Sequence, residues 1–115
     1  MKKIIFIFLL LISFSLTAQN IFWEQVGLKV NQGSSNFVLE LVEGFYTSIQ
    51  KPEGVAISLD AVMFKPEGYE ATHFLTFAGS AEDLAKLRDL RSGSIYMQYN
   101  QNMLKFSKIT SITSG

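Results

Sequence analysis

Behind Lys2 and Lys3, Ile4 to Ile12 is an unbroken apolar run, and from Trp23 onward the apolar positions alternate between a period of two and a period of 3.6. Trp23 to Val30 has the shorter period, with Val26, Leu28 and Val30 on one side and Trp23, Gln25 and Lys29 on the other, which predicts a half-buried strand. Asn31-Gln32-Gly33-Ser34-Ser35 breaks it. Between Asn36 and Ile49 the apolar residues Val38, Leu41, Val42, Phe45 and Ile49 recur at helical spacing. Ser35 is available as a cap, and Glu40, Glu43 and Thr47 lie on the outer side. Gly44 sits inside this helix at a cost of about 1 kcal/mol relative to Ala. Lys51-Pro52-Glu53-Gly54 ends it.

Val55 to Phe64 predicts a second strand. One face is wholly apolar (Val55, Ile57, Leu59, Ala61, Met63) and the other mixed (Ala56, Ser58, Asp60, Val62, Phe64). Lys65-Pro66-Glu67-Gly68 then turns the chain into a third strand, Tyr69 to Ala78, and a turn this short makes an antiparallel hairpin the economical pairing. Ser80 with Asp83 three residues later has the form of a capping box. Leu84, Leu87 and Leu90 carry that helix to Ser92-Gly93, and a second helical piece from Ser94 to Leu104 presents Ile95, Tyr99 and Met103 on one side. Phe106 to Thr113, rich in Ile and Thr, predicts the last strand.

The first run is too short to span a bilayer, which takes about 20 apolar residues. A basic start, an apolar run and a small, polar stretch from Ser13 to Ala18 are the order of a secretory signal peptide. Residues 1–18 are therefore read as a signal, with cleavage after Ala18 expected, cleavage after Thr17 the alternative, and an uncleaved anchor the competing reading. Residues 19–115 form a single domain, or one module of a longer protein. The expected location is periplasmic or extracellular, with no membrane association after cleavage.

Loss of the leader removes two of the ten basic residues and none of the ten acidic ones, a mature net charge of about −2. A nucleic-acid partner would call for a basic stripe. Lys86, Arg88 and Arg91 form the one local cluster, diluted by Asp83 and Asp89, and are expected to be a solvated helix face. With no cysteine there is no disulfide framework, no thiolate nucleophile and no Cys-rich zinc site, so stability outside the cytoplasm rests on packing or association.

The element order β-α-β-β-α-β, with the second helical region in two pieces, is the ferredoxin-like α+β arrangement: a four-stranded antiparallel sheet with helices on one face. The passage Thr72-His73-Phe74-Leu75-Thr76-Phe77-Ala78-Gly79-Ser80-Ala81-Glu82-Asp83-Leu84 resembles the strand-to-helix junction of dimeric α/β-barrel modules, the group that holds antibiotic-biosynthesis-type monooxygenases and small stress-responsive barrel proteins. The resemblance covers Phe22 to Thr113. It implies two sheets closing face to face, with a ligand cavity in some members, and it places no catalytic set on this chain.

Helices over Val26, Leu28, Val30, Val55, Ile57, Leu59 and Met63 leave an open face carrying Trp23, Gln25, Lys29, Ser58, Asp60, Val62, Phe64, Thr72, Phe74 and Thr76. Trp23, Phe64 and Phe74 there predict an apolar patch that a second copy covers. The ligand or interface candidates are Trp23, Gln25, Ser58, Asp60, Phe64, Thr72 and Phe74. Asp60, placed near Trp23, is the candidate carboxylate; its competing role is an exposed sheet residue. His73, the one histidine, is the second catalytic candidate, although its phase with Leu75 and Phe77 favours a hydrogen-bonded, partly buried ring. Tyr96, Tyr99, Met97 and Met103 read as core. No cofactor and no metal site are expected. Two readings follow: an exported module that self-associates through its open sheet face, or a cofactor-independent monooxygenase-like or small-ligand-binding barrel around Trp23, Asp60 and Phe74.

Overall fold

The computed structural model describes residues 20–115; the expected signal peptide and cleavage point lie outside the described residues. Strand β1 (Phe22–Val30), helix α1 (Ser35–Ser48), strands β2 (Ala56–Ala61) and β3 (His73–Gly79), helices α2 (Ala81–Leu90) and α3 (Gly93–Phe106) and strand β4 (Ser107–Ser114) follow in order. The strands form one antiparallel sheet in the order β2-β3-β1-β4, with β1 and β3 at its centre.

Period-two alternation decides what each face carries. Val26 pairs with Leu75 and Leu28 with His73, so the apolar residues of the central strands share the helix side. Val38, Val42, Phe45 and Tyr46 of α1, Leu84 and Leu87 of α2, and Tyr99 and Met103 of α3 close on them as one core. Aromatic rings join α1 to α3: Phe45 stacks on Tyr99 at 4.3 Å between centroids, and Phe37 on Phe106 at 5.1 Å.

The helix ends have local causes. Ser80 Oγ accepts from Asp83 N at 3.1 Å, the cap expected from their spacing. The N-cap position of α1 is Ser34, one residue ahead of the expected Ser35, and its side chain makes no cap bond. At the other end of α1 Gln50 takes φ 53°, letting Gln50 N reach Thr47 O and Lys51 N reach Tyr46 O, the paired bonds of a Schellman stop built without glycine. Gly93, at φ 81°, makes the corner between α2 and α3.

The β2–β3 hairpin is shorter than the alternation predicts. Its ladder ends at Ala61 and His73, with one further bond from Val62 N to Thr72 O. Thr72 is drawn to β1 instead, its amide donating to Leu28 O and its Oγ1 accepting from Val30 N at 2.9 Å. Residues 62–72 are therefore a loop, and Met63 and Phe64, expected on opposite sheet faces, are 82% and 91% exposed within it.

The open face is more polar than a Trp23–Phe64–Phe74 patch. Ser58, Thr76, Gln25 and Thr113 form a row across all four strands, and Gln25 Nε2 donates to Thr76 Oγ1 at 3.2 Å. At the bulge between Gly27 and Leu28 the hydroxyls of Ser111 and Thr110 close over Gly27, where an added Cβ would lie 2.5 and 2.6 Å from them. Only glycine leaves room for that approach.

Candidate functional site

Between the sheet and α3 lies a cavity of about 300 Å³. Val26, Leu28, Leu75 and Phe77 form its floor; Tyr46 of α1 and Tyr96, Tyr99 and Met103 of α3 form its walls. Leu104, Ile109 and Ile112, 67%, 52% and 71% exposed, stand where it opens along β4. Apolar walls with a few convergent polar groups are the usual make-up of a small-molecule site, and here Glu24 and Arg91 supply the polar end.

Both charges are inside for a periodic reason. Glu24 is in phase with Val26 and Leu28 on β1 and pairs with Phe77, so alternation turns it toward the helices. Arg91 follows Leu84 and Leu87, the buried residues of α2, by seven and four positions, and so continues their stripe. Its side chain is only 15% exposed and donates from Nη1 to Glu24 Oε2 at 3.1 Å and from Nε to Tyr46 Oη at 3.2 Å. The guanidinium carbon lies 4.4 Å from the Phe77 ring centroid, within cation–π range. Arg88, exposed on the rim, donates from Nη2 to Glu24 Oε1 at 3.1 Å. One carboxylate thus bridges two guanidinium groups, and Arg91 Nη2 is buried with no hydrogen-bond partner among the described residues.

This corrects the expectation of a solvated Lys86–Arg88–Arg91 face. Lys86 and Arg88 are exposed, whereas Arg91 is internal, because the partner that draws it in stands on β1, far away in sequence.

The phenols follow their surroundings. Burial raises Tyr99 well above the usual tyrosine range, and the neighbouring Tyr46 and Tyr96 push the same way. Burial also raises Tyr46, against the opposing pull of Arg91. Burial works against the charge of Arg91, but Tyr46 and Glu24 outweigh it and hold the guanidinium more firmly protonated than usual.

The residues singled out in sequence lie elsewhere. Gln25, Ser58 and Phe74 are on the open face, as their phase requires. Thr72, beyond the start of β3, ties that strand's entry to β1. Asp60 is exposed and accepts from Ser58 Oγ at 3.1 Å. It pairs with Phe74 while Trp23 pairs with Ala78, four residues along β3. That separation is about 13 Å along the strand, so Asp60 and Trp23 do not share a pocket. Trp23, 40% exposed, lies over Gly115 at the far end of the face, and Phe64 is in the loop. His73 is half-buried on the helix side, its Nδ1 2.8 Å from Thr72 Oγ1, and does not line the cavity. Glu24 and Tyr46 drew no attention in sequence, although an acid in phase with an apolar strand face, matched by a base in phase with an apolar helix stripe, was the signal for them.

No protein-family model matches the sequence, and no curated protein matches it. Solved structures do. A conserved protein of unknown function from Bacteroides thetaiotaomicron, described as a possible oxidoreductase, aligns with 85% of this chain and 98% of its own at 16% identity and a TM-score of 0.53. A proposed antibiotic biosynthesis monooxygenase from Bordetella bronchiseptica aligns over 84% and 96% at 10% identity and a TM-score of 0.58. HapK from Hahella chejuensis aligns over 82% and 90%, again at 10% identity and 0.58. At such identities the likeness speaks for the fold alone. In fold, the chain resembles the antibiotic-biosynthesis-monooxygenase type of ferredoxin-like protein.

Proposed function

We propose that this is an exported small-ligand-binding module whose ligand enters the cavity between the sheet and α3. The observation that supports it most is the joining of an apolar, tyrosine-walled cavity to the Glu24–Arg91 ion pair at its polar end. A flat neutral probe, 2-naphthamide, titrated into isotope-labelled mature protein, should shift the backbone amides of Val26, Tyr99 and Met103 and leave those of Ser58 and Asp60 in place. Shifts confined to the open face would overturn the reading.

The neighbours' names favour a second form of it, monooxygenase-like chemistry in the same cavity, which we take to run without a cofactor. In that case the electrons that reduce dioxygen come from the substrate itself, so an added hydroquinone should be consumed with dioxygen uptake above that of denatured protein. Equal uptake removes this form and leaves ligand binding untouched.

The open face supports self-association. It leaves Trp23 40% exposed and Phe74 half-buried beside Tyr69, with no element among the described residues packed across the central polar row. Light scattering should find a dimer for the mature protein and a monomer for Phe74→Glu; a monomeric wild type would sink this part. Export is tested by sequencing the first residue of the secreted protein, expected to be Gln19.

A further inference from the structure

The polar lining of the cavity says what kind of molecule it suits, and the inference rests on the ligand-binding reading above. Its charges are already balanced: Glu24 and Arg91 pair at 3.1 Å, while Arg88, 69% exposed, keeps its charge in water outside the lining. Tyr46 Oη accepts from Arg91 Nε, and Ser107 Oγ donates to Met103 O at 2.8 Å. Tyr99 is buried between Phe45 and Tyr46. That leaves Tyr96 and Asn100 of α3, both half-buried and neither side chain hydrogen-bonded to another group among the described residues. They line the cavity for a periodic reason. Tyr96, Asn100, Met103 and Ser107 follow one another at intervals of four, three and four along one helix face, whereas Gln98 and Gln101 fall outside it and are exposed. Asn100 thus puts a carboxamide in a stripe where a leucine would fill the same space.

We infer that the cavity takes a neutral amide: a flat, bicyclic molecule whose carbonyl and adjoining N–H pair with the carboxamide of Asn100, its apolar body resting on Val26, Leu28 and Leu75. The Tyr96 hydroxyl rotates to suit whatever it meets, so it selects no class. Asn100 does select. It presents a C=O and an N–H side by side, and an amide edge answers both in two parallel bonds. A ketone answers the N–H alone and leaves the Asn100 carbonyl without a donor, the kind of loss by which a site rejects an analogue. An ionised acid fares worse still. Glu24 already holds Arg91, so no described residue of the lining offers a free cation, and a charge taken out of water unpaired is costly. A volume of about 300 Å³ is at the small end for ligand pockets and suits a bicyclic guest. The ring of Tyr96, 5.6 Å from Phe45 and 6.3 Å from Tyr99 between centroids, gives it a flat wall.

The test compares three probes of nearly one shape by calorimetry on the mature protein: 2-naphthamide, 2-acetonaphthone, which has a methyl group in place of the NH₂, and 2-naphthoate. The amide should bind about tenfold more tightly than the ketone, although the ketone is the more apolar, and the naphthoate should bind most weakly. Asn100→Leu should abolish the preference and retain acetonaphthone binding. In isotope-labelled wild type the side-chain amide resonances of Asn100 should move with naphthamide; this needs no variant and keeps the test decisive should Asn100→Leu fail to fold. Equal affinities for amide and ketone, or a tighter ketone, overturn the amide and leave the cavity reading standing. A naphthoate that binds most tightly overturns the neutral class. A preference that survives Asn100→Leu, with the Asn100 resonances unmoved, overturns the role of Asn100 and the inference with it. Failure of both neutral probes to bind takes down the cavity reading itself.

Discussion

Phe74 and Phe77 stand three residues apart on β3 and face opposite worlds. Phe77 is 2% exposed, floors the cavity and lies under the Arg91 guanidinium. Phe74 is half-buried on the open face, with Tyr69 curling toward it from the loop at 6.1 Å between ring centroids. The helix side keeps its few polar groups at one end of an apolar enclosure. The open side spreads hydroxyls and an amide across the sheet, with Trp23 and Phe74 near the ends of the central strands. One strand thus serves two surfaces: one that can hold a small molecule and one whose polar row can stay wet or meet another such row.

The largest test of that contrast is truncation at the two positions. Phe77→Ala should cost about 3–5 kcal/mol of unfolding free energy, the usual cost of emptying a buried aromatic site. Phe74→Ala should cost about 1 kcal/mol or less at concentrations where the chain is monomeric. Denaturant unfolding measures both. Comparable losses at the two positions would show the faces to be equally interior, and the comparison would fail.

Alkaline titration probes the closed side next. Tyr99 and Tyr46 resist ionisation in the folded protein, while the same phenols in the unfolded chain ionise near pH 10. Above that pH the unfolded state releases protons that the folded state keeps, so stability present below about pH 10 is lost as pH climbs toward the raised folded values. Each such tyrosine contributes a slope of about 1.4 kcal/mol per pH unit. Tyr99→Phe should remove one such contribution, so that its stability falls less steeply than wild type between about pH 10 and 11. Parallel curves would mean that Tyr99 reaches water in solution and that the cavity is more open than its walls suggest.

Much of this architecture was legible in sequence because the periods were clean. β1, α1 and the Ser80 cap follow from residues within a few positions of each other. The hairpin was over-extended because alternation continues through Met63 and Phe64, while Thr72 is captured by β1, a partner more than forty residues away. The site escaped for the same reason in sharper form. Arg91 sits beside Arg88 and Asp89, and local composition marks such a segment as solvated; its phase with Leu84 and Leu87 places it inside, opposite a Glu24 whose phase does the same. Charges in register with apolar stripes on two separate elements were the readable clue, and pairing them required the tertiary fold.

The smallest expected effect is the most discriminating for the open face. Thr76 accepts from Gln25 Nε2 at the centre of the polar row, and Thr76→Val removes that acceptor while nearly keeping the shape. With water on the face, Gln25 turns to solvent and the loss should be about 0.5–1 kcal/mol. Under a second copy of the sheet the amide has no water to turn to, and a buried unpaired donor costs about 1–3 kcal/mol. Thermal unfolding of wild type and variant over a hundredfold range of protein concentration separates the two cases, because only a dimer's stability rises with concentration. The proposal of self-association predicts that the difference between wild type and variant widens as the protein is concentrated. A gap that stays constant would leave Phe74 and Gln25 facing water and make the helix side the interior face of this sheet.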